Sequence, residues 1–111
     1  MSISPSTRIA LRMVSGALIW AVHFIAIYGF TSLACARGLA TTQWLGIGVV
    51  AWTIGAATMI ALAAAVAVIV SATRTAPVNG FTEWITAGVA ALAAVAIVWE
   101  ALPAIMVPAC V

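Results

Sequence analysis

The chain has 111 residues, 67% of them hydrophobic and 5% charged, with a formal net charge of +2. Its mean hydropathy of +1.30 sets it apart from soluble domains, in which about a quarter of residues are charged. The cations are Arg8, Arg12, Arg37 and Arg74 and the anions are Glu83 and Glu100, with no Lys and no Asp. Four isolated arginines make no basic patch, which excludes nucleic-acid binding on electrostatic grounds. An Ala-, Val- and Gly-heavy chain with Arg as its only fixed cation is the usage of a GC-rich bacterial genome.

The first apolar segment, Met13 to Ala36, holds 24 residues between Arg12 and Arg37, with His23 alone ionisable. A helix needs roughly 20 apolar residues to cross a hydrocarbon core, where unpaired backbone groups are not tolerated. Ala34-Cys35-Ala36 has the look of a signal-peptidase site, but the run before it is too long for a signal h-region and contains Trp20 and His23. A lipoprotein signal would place Leu where Ser32 stands. The segment is expected to remain as an anchor. A short polar turn follows, Cys35 to Thr42, in which Thr41 or Thr42 is placed to cap a second helix.

Between Arg37 and Arg74 lie 36 uncharged residues, with Trp44 to Val70 as the apolar body. Pro77 and the pair Asn79-Gly80 read as the stop of that helix and the turn into the next. The third segment follows Glu83, whose charge suits the first turn of a helix, and it contains Glu100. Trp44 and Trp84 stand where interfacial aromatic anchors are expected. Gly and Ala are too frequent, and alternation too rare, for barrel strands. The chain therefore reads as a single all-α integral membrane domain, a small bundle of three transmembrane helices near 9–34, 43–71 and 82–107.

Arg8, Arg12 and Arg74 share one side of this topology and Arg37 takes the other. The positive-inside rule then puts the N-terminus in the cytoplasm and the C-terminus in the periplasm of a bacterial inner membrane. Cys35 and Cys110 both fall at the outer, oxidising side, where two cysteines allow one pairing. A Cys35–Cys110 disulfide is expected, the alternative being two unrelated small side chains. A metal site is not, since structural zinc wants four ligands.

His23 stands 12 residues before Cys35 and Glu100 stands 10 before Cys110, so they lie at most about 18 Å and 15 Å from the outer edge at 1.5 Å per residue. Their levels overlap. An ionisable group at that depth is costly and is a functional candidate by default; a neutral His23 and a protonated or paired Glu100 are the expected states. On its helix His23 shares a stripe with Gly16, Trp20, Ile27 and Phe30. Glu100 follows Thr86, Ala90, Ala93 and Ile97, and the second helix offers Gly48, Gly55, Ala61 and Ala65. Small residues such as Gly16, Gly48, Gly55, Ala90 and Ala93 let transmembrane helices pack closely. For Glu100 three roles stand open: structural polar contact, proton or ion handling, or contact with a partner subunit. For His23 they are a hydrogen-bonded packing residue, a haem ligand or a proton carrier. The rings of Trp20, Trp52 and Trp99 read as core or lipid-facing bulk.

There is no second His, no acid pair at catalytic spacing, no Ser-His-Asp set and no Gly-rich phosphate loop. Catalysis by this chain alone is not expected. The pattern Trp20-x-x-His23-Phe24-x-x-x-Tyr28-Gly29, Cys35, and the terminal Trp99-Glu100-Ala101-Leu102-Pro103 with Val107-Pro108-Ala109-Cys110 resemble small three-helix membrane proteins that accompany proteobacterial haem-copper terminal oxidases. The layout is similar to their subunit IV type, although the His-Met pair of the quinol-oxidase version is missing from the second helix. The resemblance implies a non-catalytic accessory or assembly subunit, lodged among lipids against larger integral membrane subunits. Haem and copper would then reside in that partner and no cofactor in this chain. Two alternatives belong to other classes: a small anchor binding haem b or quinone through His23, and a small oligomeric transporter coupled through Glu100.

Overall fold

The computed structural model describes residues 2–107 and 110. Helix α1 (Pro5–Met13) opens the fold, with proline in its first turn and Ser4 as its cap, where Ser4 Oγ accepts from the Thr7 N–H at 3.2 Å. Val14 separates it from α2 (Ser15–Ala36). At this joint Ser15 Oγ donates to the Arg12 carbonyl at 2.8 Å, a side-chain bond that competes with the helical ladder. Helical structure thus starts four residues earlier than the expected position 9, and the charged first turns become a separate short helix.

After α2 the chain passes through a single 3-10 turn, Leu39–Thr41, into a minimal antiparallel hairpin of β1 (Gln43–Trp44) and β2 (Ile47–Gly48). Leu45 and Gly46 between them have φ of 55° and 79°, the pair of positive values that fits a tight hairpin turn. Trp52 steadies the hairpin by donating its indole N–H to the Trp44 carbonyl at 2.9 Å, with ring centroids 5.2 Å apart. The second long helix, α3 (Val49–Asn79), therefore begins six residues after the expected position 43. Thr41 and Thr42 do not cap it; Thr42 instead accepts the Val49 N–H on its carbonyl at 2.9 Å.

Helix α3 also ends later than the expected position 71. Thr73 Oγ1 donates to the Val70 carbonyl at 3.1 Å and Thr75 Oγ1 to the Ser71 carbonyl at 3.2 Å. Hydroxyls satisfied on the helix's own carbonyls let a polar segment continue helically. The reversal waits for Gly80, at φ 60° and ψ −118°, where the missing Cβ matters. Helix α4 (Phe81–Met106) closes the fold and carries Pro103 within it. Pro108 and Ala109 of the terminal motif lie outside the described residues.

Helices α2, α3 and α4 are long and apolar enough to cross a membrane. They pack on one another, most extensively α3 on α4. The interface is built largely from alanine: Ala61, Ala65 and Ala72 of α3 and Ala87, Ala90, Ala93 and Ala101 of α4 are buried. Large apolar side chains such as Val22, Ile25, Met59, Ile60, Leu92 and Val95 point outward. That inversion, small inside and large outside, is how helices pack where lipid is as apolar as leucine. Toward the Cys35 end of the bundle, Ile27 and Ala34 of α2 meet Val50 and Ile54 of α3.

Candidate functional site

The two ionisable residues of the spans meet. The stripe on α2 turns His23 inward, so that its side chain is only 1% exposed. The small-residue stripe on α4 ends at Glu100, whose side chain is 11% exposed. His23 Nδ1 lies 2.6 Å from Glu100 Oε1, and the other carboxylate oxygen, Oε2, accepts the Trp20 indole N–H at 3.0 Å. The second imidazole nitrogen, Nε2, lies 3.0 Å from Thr58 Oγ1 on α3. Thr58 in turn donates its hydroxyl to the Ile54 carbonyl at 2.7 Å. One polar cluster thus joins all three spans, and among the described residues no buried side-chain polar atom lacks a hydrogen-bond partner.

Trp20 does more than the bulk role expected of it. The residue is 37% exposed; its ring begins a run of tilted contacts through Phe24 to Tyr28 and closes one side of the carboxylate with its N–H. Thr58 was not legible as a site residue. Its signal lay in the α3 stripe Val50, Ile54, Thr58, Ala61, Ala65, all buried, where a hydroxyl interrupts an otherwise apolar face. Trp99, by contrast, is 77% exposed and takes no part.

The two ends of the bundle are fastened separately. Arg12 Nε donates to Glu83 Oε1 at 2.9 Å and its Nη2 donates to Oε2 at 2.9 Å, a fork on the carboxylate that ties α1 to α4. The same Nη2 reaches Ser71 Oγ on α3 at 2.9 Å. Hydrogen bonding to Glu83 holds the Arg12 guanidinium above its ordinary pKa, against a smaller opposing effect of burial. At the far end Cys35, in the last turn of α2, is bonded to Cys110 beyond α4, with their Cα atoms 5.7 Å apart.

Of the small residues expected at helix contacts, Gly16, Ala90 and Ala93 are buried. A Cβ on Gly16 would fall 2.5 Å from Ala90 Cα, so α2 and α4 touch backbone to backbone there. Gly48 and Gly55 make no such close approach. Gly48 belongs to β2, ahead of α3, and a Cβ at either position would meet nothing within 4 Å. The close contacts of α3 run through its alanines instead.

An open, apolar groove of about 460 Å³ runs between α2 and α3, lined by Leu18, Val22, His23, Ile60 and Ala64 among others. Neither imidazole nitrogen is free to ligate a metal in this arrangement, since each faces a hydrogen-bond partner. No group of three or more His, Cys, Asp or Glu side chains with metal-binding geometry occurs among the described residues. Comparisons with family models, curated proteins and solved structures find no match to this chain.

Proposed function

We propose that this protein is a non-catalytic membrane subunit that docks through its outer faces onto larger integral membrane subunits. The oxidase complexes to which its sequence motifs bear a resemblance are the partner class. The observation that carries this reading is where the polar side chains go. His23, Glu100, Thr58 and Trp20 bond one another, Arg12 and Glu83 bond each other, and the cysteines are joined. Side chains committed to internal bonds support a part built to hold a shape, with haem and copper residing in the partner. The Arg distribution favours an inner-membrane protein with a cytoplasmic N-terminus and a periplasmic C-terminus, which sets the disulfide on the oxidising side.

The haem-anchor alternative is weakened because axial ligation by His23 would break its bond to Glu100 or to Thr58. The transporter alternative draws on the same Glu100, whose carboxylate is bonded within one chain to His23 and Trp20. The test is to extract the tagged chain in mild detergent and record a reduced-minus-oxidised visible spectrum of the eluate. Haem-oxidase bands with large partner subunits are expected. A colourless eluate without large membrane partners contradicts the reading.

A further inference from the structure

We infer that the His23–Glu100–Thr58 cluster is a proton-binding site that holds a single exchangeable proton, with the Thr58 hydroxyl turning when that proton is lost. The donors available fix where the protons sit, whichever partner the bundle meets. Thr58 has one hydroxyl hydrogen, and the Ile54 carbonyl, 2.7 Å away, can only accept. That hydrogen is therefore committed, and Thr58 Oγ1 must accept from His23 Nε2 at 3.0 Å. Nε2 carries a proton.

The other face of the ring then has two equivalent descriptions. Nδ1 and Glu100 Oε1, 2.6 Å apart, need one proton between them. Either Nδ1 holds it against a carboxylate, or the carboxyl holds it against a neutral ring. Trp20 donates to Oε2 in both. The pair is neutral overall in both, which suits a site between membrane helices.

Gain or loss of a proton changes the hydrogen bonding. If one proton leaves to water, the one remaining on the ring cannot stay on Nε2, because the bare Nδ1 would then face a carboxylate oxygen lone pair to lone pair. It must sit on Nδ1, with the N–H bond at Nε2 broken. Nε2 becomes an acceptor, and Thr58 must release the Ile54 carbonyl and donate to the ring. If instead a second proton is added, both His23 and Glu100 are protonated, the acid hydrogen is forced to Oε2, and the Trp20 N–H is left with a hydroxyl oxygen, a weaker acceptor than a carboxylate. Loss of a proton therefore breaks one identified bond, from Thr58 to the Ile54 carbonyl, and gain weakens another, from Trp20 to Oε2.

The surroundings offer no competing charge. On α2 the other titratable group is Tyr28, exposed and in tilted ring contact with Phe24. On α3 the only charged residue is Arg74, 16 positions beyond Thr58, and on α4 it is Glu83, paired with Arg12. Arg8 of α1 and Arg37 beyond α2 lie 15 and 14 positions from His23.

The chain has one histidine, so protein labelled with nitrogen-15 histidine reports this site alone. Spectra of the intact protein in bilayers, recorded over a range of pH, are expected to show two forms only: one with Nε2 protonated and a proton shared between Nδ1 and Glu100, the other the Nδ1–H form with a bare Nε2. In Glu100→Gln the amide supplies its own N–H to Nδ1, and the Nδ1–H form with a bare Nε2 is expected to disappear. A wild-type form with Nδ1 bare while Nε2 keeps its own proton overturns the proposal, as does a bare Nε2 that persists in Glu100→Gln. A spectrum unchanged until the bundle unfolds also overturns it, since the pair would then be a permanent bond.

Discussion

Glu100 Oε1 and His23 Nδ1, on residues 77 positions apart, lie 2.6 Å from each other between α4 and α2. Each group alone would be a liability at this depth, where an isolated charge costs about 2.5–3.5 kcal/mol by insertion scales. Together, with Thr58 and Trp20, they satisfy one another and draw all three spans to one level.

Replacing Glu100 should separate hydrogen bonding from charge. Glu100→Gln keeps an acceptor for Trp20 and a donor for His23 Nδ1, so its stability in detergent should stay close to wild type. Glu100→Leu leaves both groups unpaired and should cost about 1–3 kcal/mol. Denaturant unfolding followed by helical signal compares the two.

Thr58 should behave as the third arm. Thr58→Ser retains the hydroxyl and should be near neutral, whereas Thr58→Val should cost roughly 1 kcal/mol, the scale of a single interhelical bond. Equal stability of the two variants would remove Thr58 from the cluster.

Gly16 should tolerate no side chain. With a Cβ destined for a point 2.5 Å from Ala90 Cα, Gly16→Val must push α2 and α4 apart, at about 1–3 kcal/mol. Gly55→Ala meets open space and should leave the melting temperature unchanged or raise it slightly. A Gly16→Val protein as stable as wild type would contradict the contact.

Neither cysteine should react with thiol reagents in unreduced, intact protein. After reduction both should label from the periplasmic side with an impermeant reagent. Cys35→Ser should destabilise the bundle by about 2–4 kcal/mol, since the bond closes most of the chain into one loop. Labelling only after lysis would invert the proposed orientation.

Much of this was legible because membrane solvent imposes simple rules. Missing charge located the spans, and the stripe Thr86, Ala90, Ala93, Ile97 is buried as the spacing implied. The levels of His23 and Glu100, counted back from the cysteines, put the pair within reach. What the sequence hid were features set by local hydrogen bonds rather than hydropathy. The Gln43–Gly48 hairpin depends on Leu45 taking a positive φ, which leucine does not advertise. The long end of α3 depends on threonine hydroxyls folding back on their own helix. Thr58 and the Trp20 N–H were hidden because rotation about a helix axis, not depth, decides which polar atoms converge. The fork between Arg12 and Glu83 was missed for a related reason: each was read as a charge at a membrane edge, and only folding brings the edges together.

The central claim is that His23 and Glu100 act as one fastening between helices, and a double-mutant cycle tests it most directly. His23→Leu, Glu100→Leu and the double variant would be unfolded in the same detergent. The predicted result is strong coupling, the double variant being more stable than the sum of the single losses implies by about 1 kcal/mol or more. Additive losses, agreeing within about 0.3–0.5 kcal/mol, would contradict it and leave two independent polar residues in place of a clamp.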